Sequence, residues 1–178
     1  FVADGYGTER RDVMYNDFII VGPAADPAGI KGTATAAEAL TKLSASGSSF
    51  VSRGDESGTH TAEKKLWEKA AVTPSGEWYV SAGKGMGDVL IMASELGAYT
   101  LTDRATYLSM ADTLELDILV EGDSALFNQY GVIPVTDATN MDGAQAFADW
   151  IVSPEAQQII AEYGVEEYGE PLFFPNAE

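Results

Sequence analysis

Strand-like runs alternate with amphipathic stretches along nearly the whole chain, and that alternation restricts the fold more than any single motif does. "VMYNDFIIVGP" (13–23) is β-branched and aromatic, too short for an ordinary helix, and stopped by Gly22-Pro23, so it reads as a buried strand. "TATAAEALTKLSAS" reads as a helix capped by Thr33 or Thr35 and closed near Gly47. "SSFVSR" is a short strand, followed by a helix from near Ser57 to about Ala71. "GEWYVSAG" is strand-like, and "GMGDVLIMASELG" is a helix bounded by glycines. "AYTLTD", "RATYLSMAD" and "LELDILVEGDSAL" continue as strand, short helix, and strand with turn. "YGVIPV" (130–135) suits an edge or crossing strand, since it carries a proline. "MDGAQAFADWIVSPEAQQIIAEYG" gives two helices, the second entered through Ser153-Pro154 and closed by Gly164. This order predicts an α/β fold with largely parallel sheets flanked by helices.

Composition excludes several functions. The chain has 178 residues, 46% hydrophobic and 21% charged, which is a globular profile with room for one large domain or two lobes. With no cysteine, disulfides, thiolate zinc sites and cysteine nucleophiles are ruled out. A net charge of −18 repels phosphate backbones and anionic membranes, so no nucleic-acid partner is expected. Such an acid surplus suits a secreted protein kept soluble by its charge, or an organism from salty surroundings. No apolar run approaches the ~18 residues of a membrane span, so no membrane insertion is expected. No signal-peptide pattern opens the sequence, and the start at Phe1 reads as a processing boundary.

The densest chemistry lies in "SRGDESGTHTAEKKLWEKA" (52–70). A strand, a tight turn at Gly54 and a helix starting near Ser57 aim backbone N–H groups at the space above the helix start. Such a start carries about half a positive charge and suits a small anion. Arg53 adds a planar fork of donors, Ser57 and Thr59 add hydroxyls, and Gly58 allows close approach. Asp55 either orients the arginine or accepts a proton from a protonated ligand. A capped helix with Ser57 as N-cap and His60 exposed in its first turn explains the same residues without any ligand. "RGD" is pinned between strand and helix, unlike an adhesion loop. "GDESG" places its serine one position late for a nucleophile elbow, which leaves a hydrolase as a minor reading.

A second cradle is "GKGMGD" (83–88), where Gly85, Met86 and Gly87 open a helix without P-loop spacing; a plain turn explains it too. "YTLTDR" (99–104) offers hydroxyls at a strand end, or a Thr102 or Asp103 cap. Asp12, Asp17, Asp26, Glu38, Glu63 and Asp88 lack metal-loop spacing, so no metal site and no cofactor is assigned.

Taken in order, "FVADGYGTERRDVMYNDFIIVGP", "FVSRGDESGTHTAEKKLW", "GKGMGDVLIMASELGAYTLTDRATYL", "YGVIPV" and "GEPLFFPNAE" resemble the tungstate-binding proteins of bacterial and archaeal ABC importers. The spacing of Arg53, Asp55, Ser57, Gly58 and Thr59 is also similar to the ligand loop of related phosphate-binding proteins. The resemblance implies a two-lobed, type II periplasmic-binding fold: residues 1–22 crossing out of lobe one, 23–129 as lobe two, and 130–178 returning to lobe one. The family's Thr/Ser-rich anion loop from the first part of lobe one has no counterpart here, which implies truncation at the N-terminus. It further implies a non-enzymatic receptor, periplasmic or at the extracellular surface. Such a receptor holds tungstate or molybdate through Arg53, Ser57, Gly58, Thr59 and the segment Gly85, Met86 and Gly87, with Asp55 bracing Arg53, and delivers it to a membrane permease.

Overall fold

The computed structural model describes all 178 residues, which form two compact units, Asp17–Phe127 and Phe1–Asn16 with Asn128–Glu178. One long strand, β1 (Arg11–Gly22), contributes to both.

In the unit Asp17–Phe127 the chain continues through α1 (Ala36–Ser46), β2 (Phe50–Ser52), α2 (Gly58–Lys69), β3 (Tyr79–Ser81), α3 (Met86–Leu96), β4 (Thr100–Asp103), α4 (Arg104–Met110) and β5 (Asp117–Val120). Capping chemistry sets the helix limits. Thr35 accepts from the Glu38 amide at the start of α1, and Gly47, at φ 68, ends it. α1 buries Ala36, Ala39, Leu40 and Leu43, the spacing of a single helical face.

β2 and β3 pair in parallel, and a parallel bridge between Phe50 and Tyr99 sets β2 beside the approach to β4. β4 and β5 each pair with β1 antiparallel. The expectation of largely parallel sheets therefore needs correction. The four strands that alternate with helices point one way, but β1 runs against them between β4 and β5. Helical crossovers impose parallel sense only on the strands they connect, and β1 precedes that series.

Both faces of this sheet are covered, which explains why "FIIV" is continuously apolar. Phe18 and Ile20 face one cluster with Leu40, Phe50, Leu66, Trp67 and Tyr99. Ile19 and Val21 face another with Val51, Met86, Val89 and Leu90. The Arg104 guanidinium forks onto the buried Asp17 carboxylate, with Nη2 at 2.6 Å from Oδ2, and tethers α4 to β1.

In the other unit, β6 (Phe127–Val132) and β7 (Phe174–Pro175) pair with β1, joined by α5 (Met141–Ile151), α6 (Pro154–Glu162) and α7 (Val165–Tyr168). Ser153 caps α6 on the Ala156 amide, with Pro154 in its first turn. Gly164, at φ 94, separates α6 from α7. β6 begins earlier than "YGVIPV" suggested and stops short of Pro134. Its side chains are mostly exposed, so apolar content was a poor guide to its limits.

Candidate functional site

The site is built where β2 and β3 end. Ser52 and Ser81, the last residues of the two strands, lie in matched register. Beyond them the Ala82 amide donates to Ser52 O at 2.9 Å and the Lys84 amide to Arg53 O at 3.3 Å, so the two following loops run side by side. One leads to the start of α2 and the other to the start of α3, each presenting first-turn N–H groups.

The contact between the loops is close. Gly54 has φ 60, a left-handed conformation, and a Cβ there would fall 2.0 Å from Ser81 Oγ. Gly54→Ala is accordingly expected to cost about 1–3 kcal/mol through backbone strain. It should displace Ser81 as well, and a denaturant titration compared with wild type checks the loss. Glu56 also adopts a positive φ, 58, and its amide donates to His60 Nδ1 at 3.1 Å. Ser57 caps α2 by accepting from the His60 amide at 3.2 Å. His60 is thus buried and bonded to the turn, not exposed as the simple capped-helix reading held.

Arg53 and Asp55 form the charged part of the site. Asp55 Oδ2 takes Arg53 Nε at 3.1 Å and Nη2 at 2.5 Å, while Oδ1 takes the Ser57 amide at 3.2 Å. The carboxylate therefore fixes one edge of the guanidinium and the turn before α2 together. Bonding to Ser57, reinforced by the Arg53 guanidinium, lowers the Asp55 pKa to about 2. The folded-state value lies below the ordinary aspartate value, so the stabilisation is present above about pH 4 and lost as pH falls through 2. Carbon-detected NMR titration of Asp55 is expected to show an ionised carboxylate down to about pH 3, and an upward shift in Arg53→Ala.

The other expected residues fall at the two helix starts. Gly58 and Gly85 would each meet nothing within 4 Å of an added Cβ, so their backbones are open to close approach. Thr59 lies in the first turn of α2 and is buried. Gly85 is the N-cap of α3 and supplies no side-chain cap. Met86 is buried in the second apolar cluster, so its side chain serves the core. A Cβ on Gly87 would meet Met110 Sδ at 3.5 Å.

The hydroxyls of "YTLTDR" are employed within the fold. Tyr99 donates to Asp26 Oδ1, Thr100 to Val51 O, and Thr102 to Asp103 O. Asp103 caps α4 on the Thr106 amide. Sequence reasoning did not single out Ser81 or Lys84, because only the pairing of β2 with β3 brings them against the Arg53 loop.

Comparison with known proteins places the chain. A profile of the PBP superfamily domain matches residues 1–155. The chain is 57% identical to a tungstate-binding protein TupA of Peptoclostridium acidaminophilum, over 99% of this chain and 64% of that protein. The TupA of Campylobacter jejuni is 34% identical, over 100% of this chain and 68% of that protein. The solved structure of the tungstate-binding protein TupA from Desulfovibrio alaskensis superposes with a TM-score of 0.89 at 47% identity, covering 100% of this chain and 74% of that one. The chain spans just under two thirds of the length of the first of these relatives. On this combination of profile match, identity and shared fold, the chain belongs to the PBP superfamily and, within it, to the family of TupA proteins.

Proposed function

We propose that this chain is the oxyanion-capturing part of an extracytoplasmic solute-binding protein, taking up tungstate or molybdate and delivering it to an ABC permease. The observation that carries the proposal is the convergence of two helix starts, from register-matched parallel strands, on loops that hold Arg53 in the grip of Asp55. This arrangement gathers donors, and the Asp55 carboxylate is already engaged by Arg53 and the Ser57 amide, which suits capture. In this reading Arg53 provides the fixed charge, the hydroxyls of Ser57 and Thr59 donate to ligand oxygens, and the backbones at Gly58 and from Gly85 through Gly87 approach the ion. Asp55 braces Arg53 and does not touch a fully ionised ligand, which has no proton to give it.

The units Asp17–Phe127 and Phe1–Asn16 with Asn128–Glu178 serve, in the same reading, as lobe two and part of lobe one of a type II binding fold. No helix here is long and apolar enough to cross a membrane. The acid surplus does not forbid an anion site, because salt screens distant charges beyond about 8–10 Å while donors act at contact.

Calorimetric titration tests the proposal, using this chain and a version extended at the N-terminus with tungstate, molybdate, sulfate and phosphate. Tungstate binding that is tighter than sulfate or phosphate binding is the expected result. Binding of none of the four by either form would overturn it.

A further inference from the structure

We propose that Glu63 is the positioning residue of this site, the side chain whose hydrogen bonds orient α2 on both strands from which the two loops spring. The inference rests on the oxyanion-binding reading above. Glu63 lies on α2 and is 2% exposed. Its Oε2 accepts from the Ser52 hydroxyl at 2.7 Å, and its Oε1 accepts from the Tyr79 hydroxyl at 2.7 Å and Trp67 Nε1 at 3.0 Å. These donors have particular places in the chain. Ser52 is the last residue of β2, directly before Arg53, and Tyr79 is the first residue of β3, whose last residue, Ser81, meets Gly54. Trp67 is one turn further along α2 itself. A single carboxylate thus sets the position of α2 against β2 and β3 together.

A buried carboxylate is costly unless its oxygens are matched by donors, and here every donor is neutral. Apolar groups replacing the carboxylate and its three donors together could serve stability as well, whereas an apolar side chain at position 63 alone leaves those donors unpaired. What neither could supply is direction, since only hydrogen bonds define one orientation of α2 over the strand ends. Trp67 packs edge-on against Phe50 at 5.3 Å and Tyr79 at 6.2 Å, adding apolar cover beside the carboxylate. Burial, with the Glu63 charge adding to it, pushes the Tyr79 hydroxyl pKa up, so at neutral pH it remains a donor.

Two substitutions separate positioning from simple stability. Glu63→Met keeps volume and removes the acceptors; Tyr79→Phe removes one donor. We expect Glu63→Met to melt below wild type, because the Ser52, Trp67 and Tyr79 donors lose their acceptor, and below its own melting temperature to bind tungstate at least tenfold more weakly, with a smaller preference for tungstate over sulfate. Tyr79→Phe should show a smaller loss of the same kind. Amide hydrogen exchange in Glu63→Met should speed up at residues 53–57 and 82–86 together, while the amides of α1 keep their protection. Wild-type affinity and selectivity in Glu63→Met would overturn the inference. Should the wild-type chain bind no tungstate, the oxyanion reading fails separately and exchange decides: joint loosening of the two loops supports the role of Glu63, and unchanged exchange refutes it.

Discussion

Replacing Arg53 by alanine is expected to weaken tungstate binding by about 2–5 kcal/mol, the usual cost of truncating one partner of a buried charged contact. In affinity this is roughly thirty-fold to several-thousand-fold. The effect is geometric as well as electrostatic. Asp55 occupies Nε and Nη2 of Arg53, so one edge of the guanidinium is immobilised and the remaining donors are held ready for a ligand. Arg53→Lys keeps the charge and loses the planar fork, so an intermediate loss is expected. Asp55→Asn should weaken binding less than Arg53→Ala, because it loosens the brace and leaves the cation. Titration calorimetry on the three variants gives the ranking, and an Arg53→Ala protein that binds like wild type would remove the proposed site.

The second large effect is on stability. Phe50→Ala should cost about 3–5 kcal/mol, as fully buried aromatic side chains do when truncated. Phe50 has no exposure, stacks on Tyr79 at 6.0 Å between centroids, and meets Trp67 edge-on. It also sits in β2 two residues before Ser52, so the cavity would open directly beneath the Arg53 loop. For a chain of this size the loss corresponds to a fall in Tm of roughly 6–20 °C. A denaturant titration should show a lower midpoint with an unchanged slope. A change under about 1 kcal/mol would mean that this cluster does not carry the fold, contrary to its burial.

Particular residues show what the sequence made legible. Thr35, Ser57 and Ser153 marked helix starts because each has a hydroxyl that can take an orphan amide, and all three do so. Gly47 and Gly97 marked helix ends because both adopt left-handed conformations that other residues avoid. The run "FIIV" disclosed a strand but not its direction. Direction depends on which strands lie beside it, and periodicity within one segment carries no information about partners. α7 and β7 were missed because each is only a few residues long and partly exposed.

At the site, the residues left Asp55 two roles, orienting Arg53 or accepting a ligand proton, and the structure shows it paired with Arg53. The burial of His60 and Glu63 was not legible in the sequence. His60 is drawn in by the Glu56 amide, and Glu63 by donors from two strands and its own helix. Both depend on how α2 lies over the sheet, which only the assembled fold determines.

The most direct test of the Arg53 site is to locate tungsten through its anomalous scattering in crystals of this protein grown with tungstate. The prediction is a tungsten position whose oxygens lie within hydrogen-bonding distance of Arg53 and of the amides at the start of α2. Tungsten confined to surface lysines, or bound with Arg53 out of reach, would contradict it.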